Sequence, residues 1–105
     1  MKRYVTYKRV STKEQGKSGL GLSAQERDIK LFLDNYSEEP WEIVGDFVEV
    51  ETGTNADRPI LKEAIALAKK HKATLLVAKL DRLSRKVSFI STLMDDKALK
   101  LTAAS

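Results

Sequence analysis

Apolar positions along the chain switch between a period of two and a helical period, and the switches mark out the elements. Tyr4, Val5, Thr6 and Tyr7, within RYVTYKR at 3–9, are good strand formers and predict a first strand. Residues 12–22, TKEQGKSGLGL, predict a glycine-rich loop. Ser23 followed three residues later by Glu26 is the pattern of a capping box. Ile29, Phe32, Leu33 and Tyr36 then fall on one helical face, which predicts a helix over 24–36. After Pro40, the run WEIVGDFVEV at 41–50 predicts a second strand with an irregularity at Gly45. A polar loop over 51–58 leads to Pro59, well suited to the first position of a helix. Ile60, Leu61, Ala64, Ile65 and Ala68 trace its apolar stripe, which ends near His71. TLLVA at 74–78 is continuously apolar, as expected of a strand covered on both faces. A third helix is predicted over 86–97, with Val87, Ile90 and Met94 on one side, and a last strand over 98–103.

This order, β-α-β-α-β-α-β, predicts an α/β domain: a mainly parallel sheet of about four strands flanked by helices. The 105 residues suit one domain. No run of 18 apolar residues is present, so no helix is expected to span a membrane. The polar, strand-forming start does not read as a signal peptide. Cysteine is absent, which excludes disulfides and thiolate metal sites and fits a cytoplasmic location.

Charge adds a partner class. The net charge is +4, and it is unevenly spread. Lys2, Arg3, Lys8, Arg9, Lys13 and Lys17 stand against Glu14 alone in residues 1–17, and Lys79, Arg82, Arg85 and Lys86 against Asp81 alone in residues 79–86. Such clusters suit either a polyanion partner or a solvated basic face.

In open α/β sheets, ligands bind beyond the carboxyl ends of the strands. The first strand ends at Arg9-Val10-Ser11-Thr12, the second leads to Arg58, and the third ends in KLDRLSR at 79–85. A hydroxyl, four arginines and the Asp81 carboxylate are thereby directed to one edge. A serine can attack carbon or phosphorus, and acyl transfer usually requires a histidine base. The single histidine, His71, lies at a helix end between two lysines, away from any nucleophile. Arginine forks match phosphate oxygens and can stabilise the charge of a phosphoryl transition state. The set therefore points to phosphoryl chemistry. Two glycine motifs do not. Gly16-Lys17-Ser18 lacks the glycine a P-loop requires at position 11, and Gly19-Leu20-Gly21 lies too far from the first strand for a dinucleotide turn.

Tyr7-x-Arg9-Val10-Ser11-Thr12-x-x-Gln15, then Ser18-Gly19-Leu20-x-Leu22-x-x-Gln25, resembles the opening of the serine recombinases, the family of resolvases, invertases and large integrases. Asp57-Arg58-Pro59 resembles the family's mid-domain arginine, and Lys79-Leu80-Asp81-Arg82-Leu83-Ser84-Arg85 its second signature. The resemblance implies an N-terminal catalytic domain of a site-specific DNA recombinase. Ser11 would attack a DNA phosphodiester to give a 5′-phosphoserine linkage, followed by strand exchange and religation. It further implies that Arg9, Arg82 and Arg85 hold the phosphate, and that Asp81 orients an arginine or moves a proton. Arg58 would complete the cluster, Gln15 and Gln25 would position Ser11 and its loop, and Tyr7 would line the site. No metal, cofactor or small-molecule substrate is implied. The implied partners are DNA and further copies of the chain, as homodimer and tetramer. The pattern stops after its last strand, so the resemblance implies a C-terminally incomplete domain, with the family's long oligomerisation helix and DNA-binding domain absent. Such a fragment is expected to be inactive in full recombination. Plainer roles stand beside these: Asp81 pairing with Arg85, Tyr7 packing, and Gln25 as a polar residue at a helix start. The alternative function is a non-catalytic DNA-binding or assembly module that keeps the fold.

Overall fold

The computed structural model describes residues 2–11, 21–37, 40–51, 58–83 and 87–104. Four strands, β1 (Lys2–Ser11), β2 (Trp41–Glu51), β3 (Thr74–Val77) and β4 (Lys100–Ala103), form one sheet in the order β2-β1-β3-β4. All three pairings are parallel, so the expected α/β architecture is found. The central strands β1 and β3 are covered on both faces, which is why Tyr4 to Lys8 and the whole of TLLV are buried.

The connecting helices are α1 (Leu22–Asn35), α2 (Pro59–His71), a short α3 (Leu80–Leu83) and α4 (Val87–Asp95). Leu61, Ala64 and Ala68 of α2 pack with Val5, Tyr7, Leu75 and Val77 on one face of the sheet, joined by Leu83 of α3 and by Phe89 and Leu93 of α4. Ile29 and Leu33 of α1 pack with Tyr4 and Leu76 on the other face. Neighbouring residues of β1 thus serve opposite cores, as the pleat requires.

Four local results refine the sequence reading. The Ser23–Glu26 capping box does not form. Helix α1 begins at Leu22 behind Gly21, no side chain caps it, and Ser23 is exposed within its first turn. The rotation of α1 is set instead by Gln25, which is buried against β1. The Gly45 irregularity is a bulge: Tyr4 pairs with Ile43 but Val5 pairs with Gly45. A Cβ at Gly45 would run into Leu67 of α2 and the Phe47 ring, so close strand–helix approach accounts for the glycine. Helix α3 occupies a segment read only as a strand end. Finally, Val87 and Met94 do share a side of α4, but it faces solvent; Phe89 and Leu93, four residues apart, turn to the core.

No helix among the described residues is long and apolar enough to cross a membrane. The expected loops fall largely on residues 12–20 and 52–57, outside the described residues.

Candidate active site

Strand β1 pairs with β3 only as far as Tyr7–Val77, while its pairing with β2 continues to Ser11–Glu51. Its last four residues therefore project past β3 at the carboxyl edge, leaving backbone groups to be satisfied on that side. Gln25 satisfies two of them. Its Nε2 donates to the Arg9 carbonyl at 2.8 Å and its Oε1 accepts the Arg9 N–H at 3.2 Å. The side-chain amide does what one residue of a further strand would do, and it clamps the backbone two residues before Ser11.

One stride back, Tyr7 anchors a buried polar network. Its hydroxyl donates to Glu49 Oε1 at 2.6 Å and accepts from Arg58 Nη2 at 3.0 Å. Glu49 is 2 % exposed, and it also accepts the Ile60 and Leu61 N–H groups at 3.2 and 3.3 Å. Those amides are the second and third of α2, whose own cap residue, Arg58, gives no side-chain cap. Glu49 therefore caps α2 from a neighbouring strand, and its negative charge complements the helix N-terminus. Burial, and next the hydrogen bond to Glu49, push the Tyr7 phenol well above its ordinary pKa, although Arg58 opposes them. The phenol stays protonated near neutral pH and remains the donor to Glu49.

Arg58 closes the network at the sheet's carboxyl edge. It adopts a left-handed backbone, φ 52° and ψ 60°, an uncommon conformation for a residue with a side chain. Its guanidinium carbon lies 5.7 Å from the centre of the Tyr7 ring and 5.5 Å from that of Phe89. Its Nε is buried with no hydrogen-bond partner among the described residues.

The expected site residues thus divide. Tyr7 and Arg58 are in contact, and Gln25 meets the backbone of Arg9. Ser11 is the last residue of β1. Asp81 and Arg82 lie on α3, which packs against β1. Gln15 and Arg85 lie outside the described residues. His71 sits in the last turn of α2, at the opposite edge of the sheet. Within the basic cluster of residues 1–17, two of the described members are already paired to carboxylates. Arg3 pairs with Glu42 at 3.1 Å, and Lys8 pairs with Asp46 at 2.7 Å on the α1 face.

Sequence reasoning missed Glu49. Its signal was a carboxylate two residues from Phe47, but β2 also carries Glu42, Asp46 and Glu51, and the bulge at Gly45 shifts the alternation and hides which face Glu49 occupies.

Comparison with known proteins adds three findings. Residues 4–101 match the family model described as the resolvase N-terminal domain. The chain is similar to the N-terminal catalytic domain of TP901-1 integrase, with 26 % identity and a TM-score of 0.76 over 98 % of this chain and 78 % of that one. It shares its fold with the C-terminal catalytic domain of ISC1926 TnpA, an IS607-like serine recombinase, with 22 % identity and a TM-score of 0.70 over 98 % of this chain and 70 % of that one. No curated protein matches the chain significantly.

Proposed function

The chain belongs to the resolvase N-terminal domain family of serine recombinases, and from that premise we propose that Ser11 is the nucleophile of a site-specific DNA recombinase. The Ser11 hydroxyl attacks a backbone phosphorus, the bond from phosphorus to the 3′ oxygen breaks, and that oxygen leaves as a 3′-hydroxyl after gaining a proton. A 5′-phosphoserine linkage remains. Attack by a 3′-hydroxyl from an exchanged strand reverses the step, rejoins the DNA and returns the proton to Ser11.

The observation that carries this reading is the edge at which β1 ends. Ser11 terminates that strand, α3 with Asp81 and Arg82 packs against the same strand, and Arg58 reaches Tyr7 of that strand with a buried Nε that has no partner among the described residues. A guanidinium N–H without a partner suits a phosphate oxygen. In this reading Arg9, Arg82 and Arg85 hold and neutralise the phosphate, with Arg58 completing the cluster. Asp81 orients an arginine or moves the proton. Gln25 holds the Arg9 backbone, and with Gln15 sets the path of the chain around Ser11. Tyr7 fixes Arg58. The partners are DNA and further copies of the chain, as dimer and tetramer, in the cytoplasm.

The test uses the full-length protein that carries this domain, incubated with DNA bearing its recombination site. Denaturing gels and mass spectrometry are expected to find a covalent 5′-phospho adduct on Ser11 that Ser11→Ala lacks. An equal adduct in Ser11→Ala removes the nucleophile. Binding without any adduct favours a non-catalytic DNA-binding module.

A further inference from the structure

We propose that Phe89, on α4, is a positioning residue that holds Arg58 in place with its ring. Arginine carries several rotatable bonds and loses considerable freedom when its guanidinium is fixed. The hydrogen bond to Tyr7 holds only Nη2 of Arg58. The plane of the group needs a second restraint, and two rings supply it, at 5.7 Å for Tyr7 and 5.5 Å for Phe89. Both distances fall within the reach of a cation–π contact.

The placement of Phe89 makes this more than packing. Helix α4 has no fully buried residue, and Phe89 and Leu93 are its half-buried apolar contacts with the α2-face core. Both pack on that core, but the Phe89 ring also meets a cation whose Nε is buried and has no hydrogen-bond partner among the described residues. An aliphatic side chain would preserve the apolar contact of α4 but lose the attraction of a ring face for the guanidinium. Phe89 therefore ties the position of α4 to the direction in which Arg58 presents its donors.

The phosphate role of Arg58 rests on the recombinase reading, but the clamp does not, so two measurements separate them. The first is the NMR resonance of the Arg58 Nε–H, assigned by its loss in Arg58→Lys. Ring currents are expected to move it upfield in the wild type and in Phe89→Tyr, and Phe89→Leu is expected to return it toward the position of free arginine. The second is the rate of Ser11 adduct formation at saturating DNA, with DNA affinity measured alongside. Phe89→Leu is expected to slow the rate roughly tenfold, the scale of one partly desolvated cation–π contact. Affinity should hold within about twofold, and Phe89→Tyr should keep close to the wild-type rate. Phe89→Met replaces the leucine variant if that variant unfolds. An Arg58 resonance unmoved by Phe89→Leu overturns the clamp, as does an equal loss of rate in the tyrosine and leucine variants. If the wild type forms no adduct, the recombinase reading fails and the Arg58 resonance alone decides the clamp.

Discussion

Tyr7 and Lys8 are neighbours on β1, and each reaches across to a carboxylate of β2, yet the two pairs have different fates. Tyr7 donates to Glu49 at 2.6 Å beneath α2, and Lys8 donates to Asp46 at 2.7 Å on the α1 face. Glu49 is 2 % exposed, whereas the Asp46 side chain is 57 % exposed. The cause is helix coverage. Helix α2 lies over β1 and β2 and excludes water from Glu49, while α1 packs over β1 and β3 and leaves β2 open at Asp46. Dry surroundings make an incomplete network costly and a complete one rigid. The Glu49 network can therefore hold an arginine in a fixed place, and the Asp46 pair cannot do so to the same degree.

Breaking the buried side should have the largest effect. Glu49→Ala leaves the Tyr7 hydroxyl and the Ile60 and Leu61 amides without their acceptor. Urea unfolding should show a loss of about 3 kcal/mol, the scale of an unsatisfied buried charged network. A loss no greater than that of an exposed pair would erase the contrast between the faces.

Tyr7→Phe is next, with an expected cost of about 1.5 kcal/mol near neutral pH. Its pH dependence sharpens the comparison. The folded-state pKa of Tyr7 is raised, first by burial and then by its hydrogen bond to Glu49. The stability linked to the neutral phenol is present below the ordinary phenol value of about 10 and is lost as pH rises toward the folded value. The gap between wild type and Tyr7→Phe should narrow above about pH 10, and a gap that stays flat there would place the phenol in water.

Asp46→Asn should have the smallest effect, about 0.5 kcal/mol at neutral pH, because solvent screens the exposed carboxylate. Burial pushes the Asp46 pKa up, but hydrogen bonds from Lys8 and Thr6, with the charge of Lys8, outweigh it and hold the carboxyl below its usual range. Stability from a depressed carboxyl is present above its unfolded value and is lost as pH falls through the folded one. Denaturation midpoints of wild type and variant should thus converge below about pH 4. Midpoints that stay equally far apart in acid would give the interaction another origin.

Much of this contrast was legible from the residues, but not its decisive member. The strand formers around Tyr7, the Pro59 helix start and the Gly45 irregularity all follow from local sequence, since each depends on neighbours a few positions away. Tyr7, Arg58 and Gln25 were marked as site residues through the family resemblance. The structure shows how three of these are held: Tyr7 and Arg58 by each other, and Gln25 by the Arg9 backbone. Glu49 escaped because its partners lie 42 and 12 residues away, and no periodicity records such contacts. Ser23 misled because a local capping pattern lost to the tertiary demand that Gln25 reach β1.

The sequence by itself determined the alternation of strands and helices, and with it a parallel sheet whose first strand ends at Ser11. Period and turn chemistry are properties of adjacent residues, so they can be read without the fold. Only the tertiary structure decided that Glu49 caps α2, that Gln25 stands in for a strand beside Arg9, and that Phe89 rather than Val87 or Met94 turns inward to Arg58. Those choices depend on which face a helix covers and where a bulge shifts the pleat, and burial is what turns them into fixed geometry.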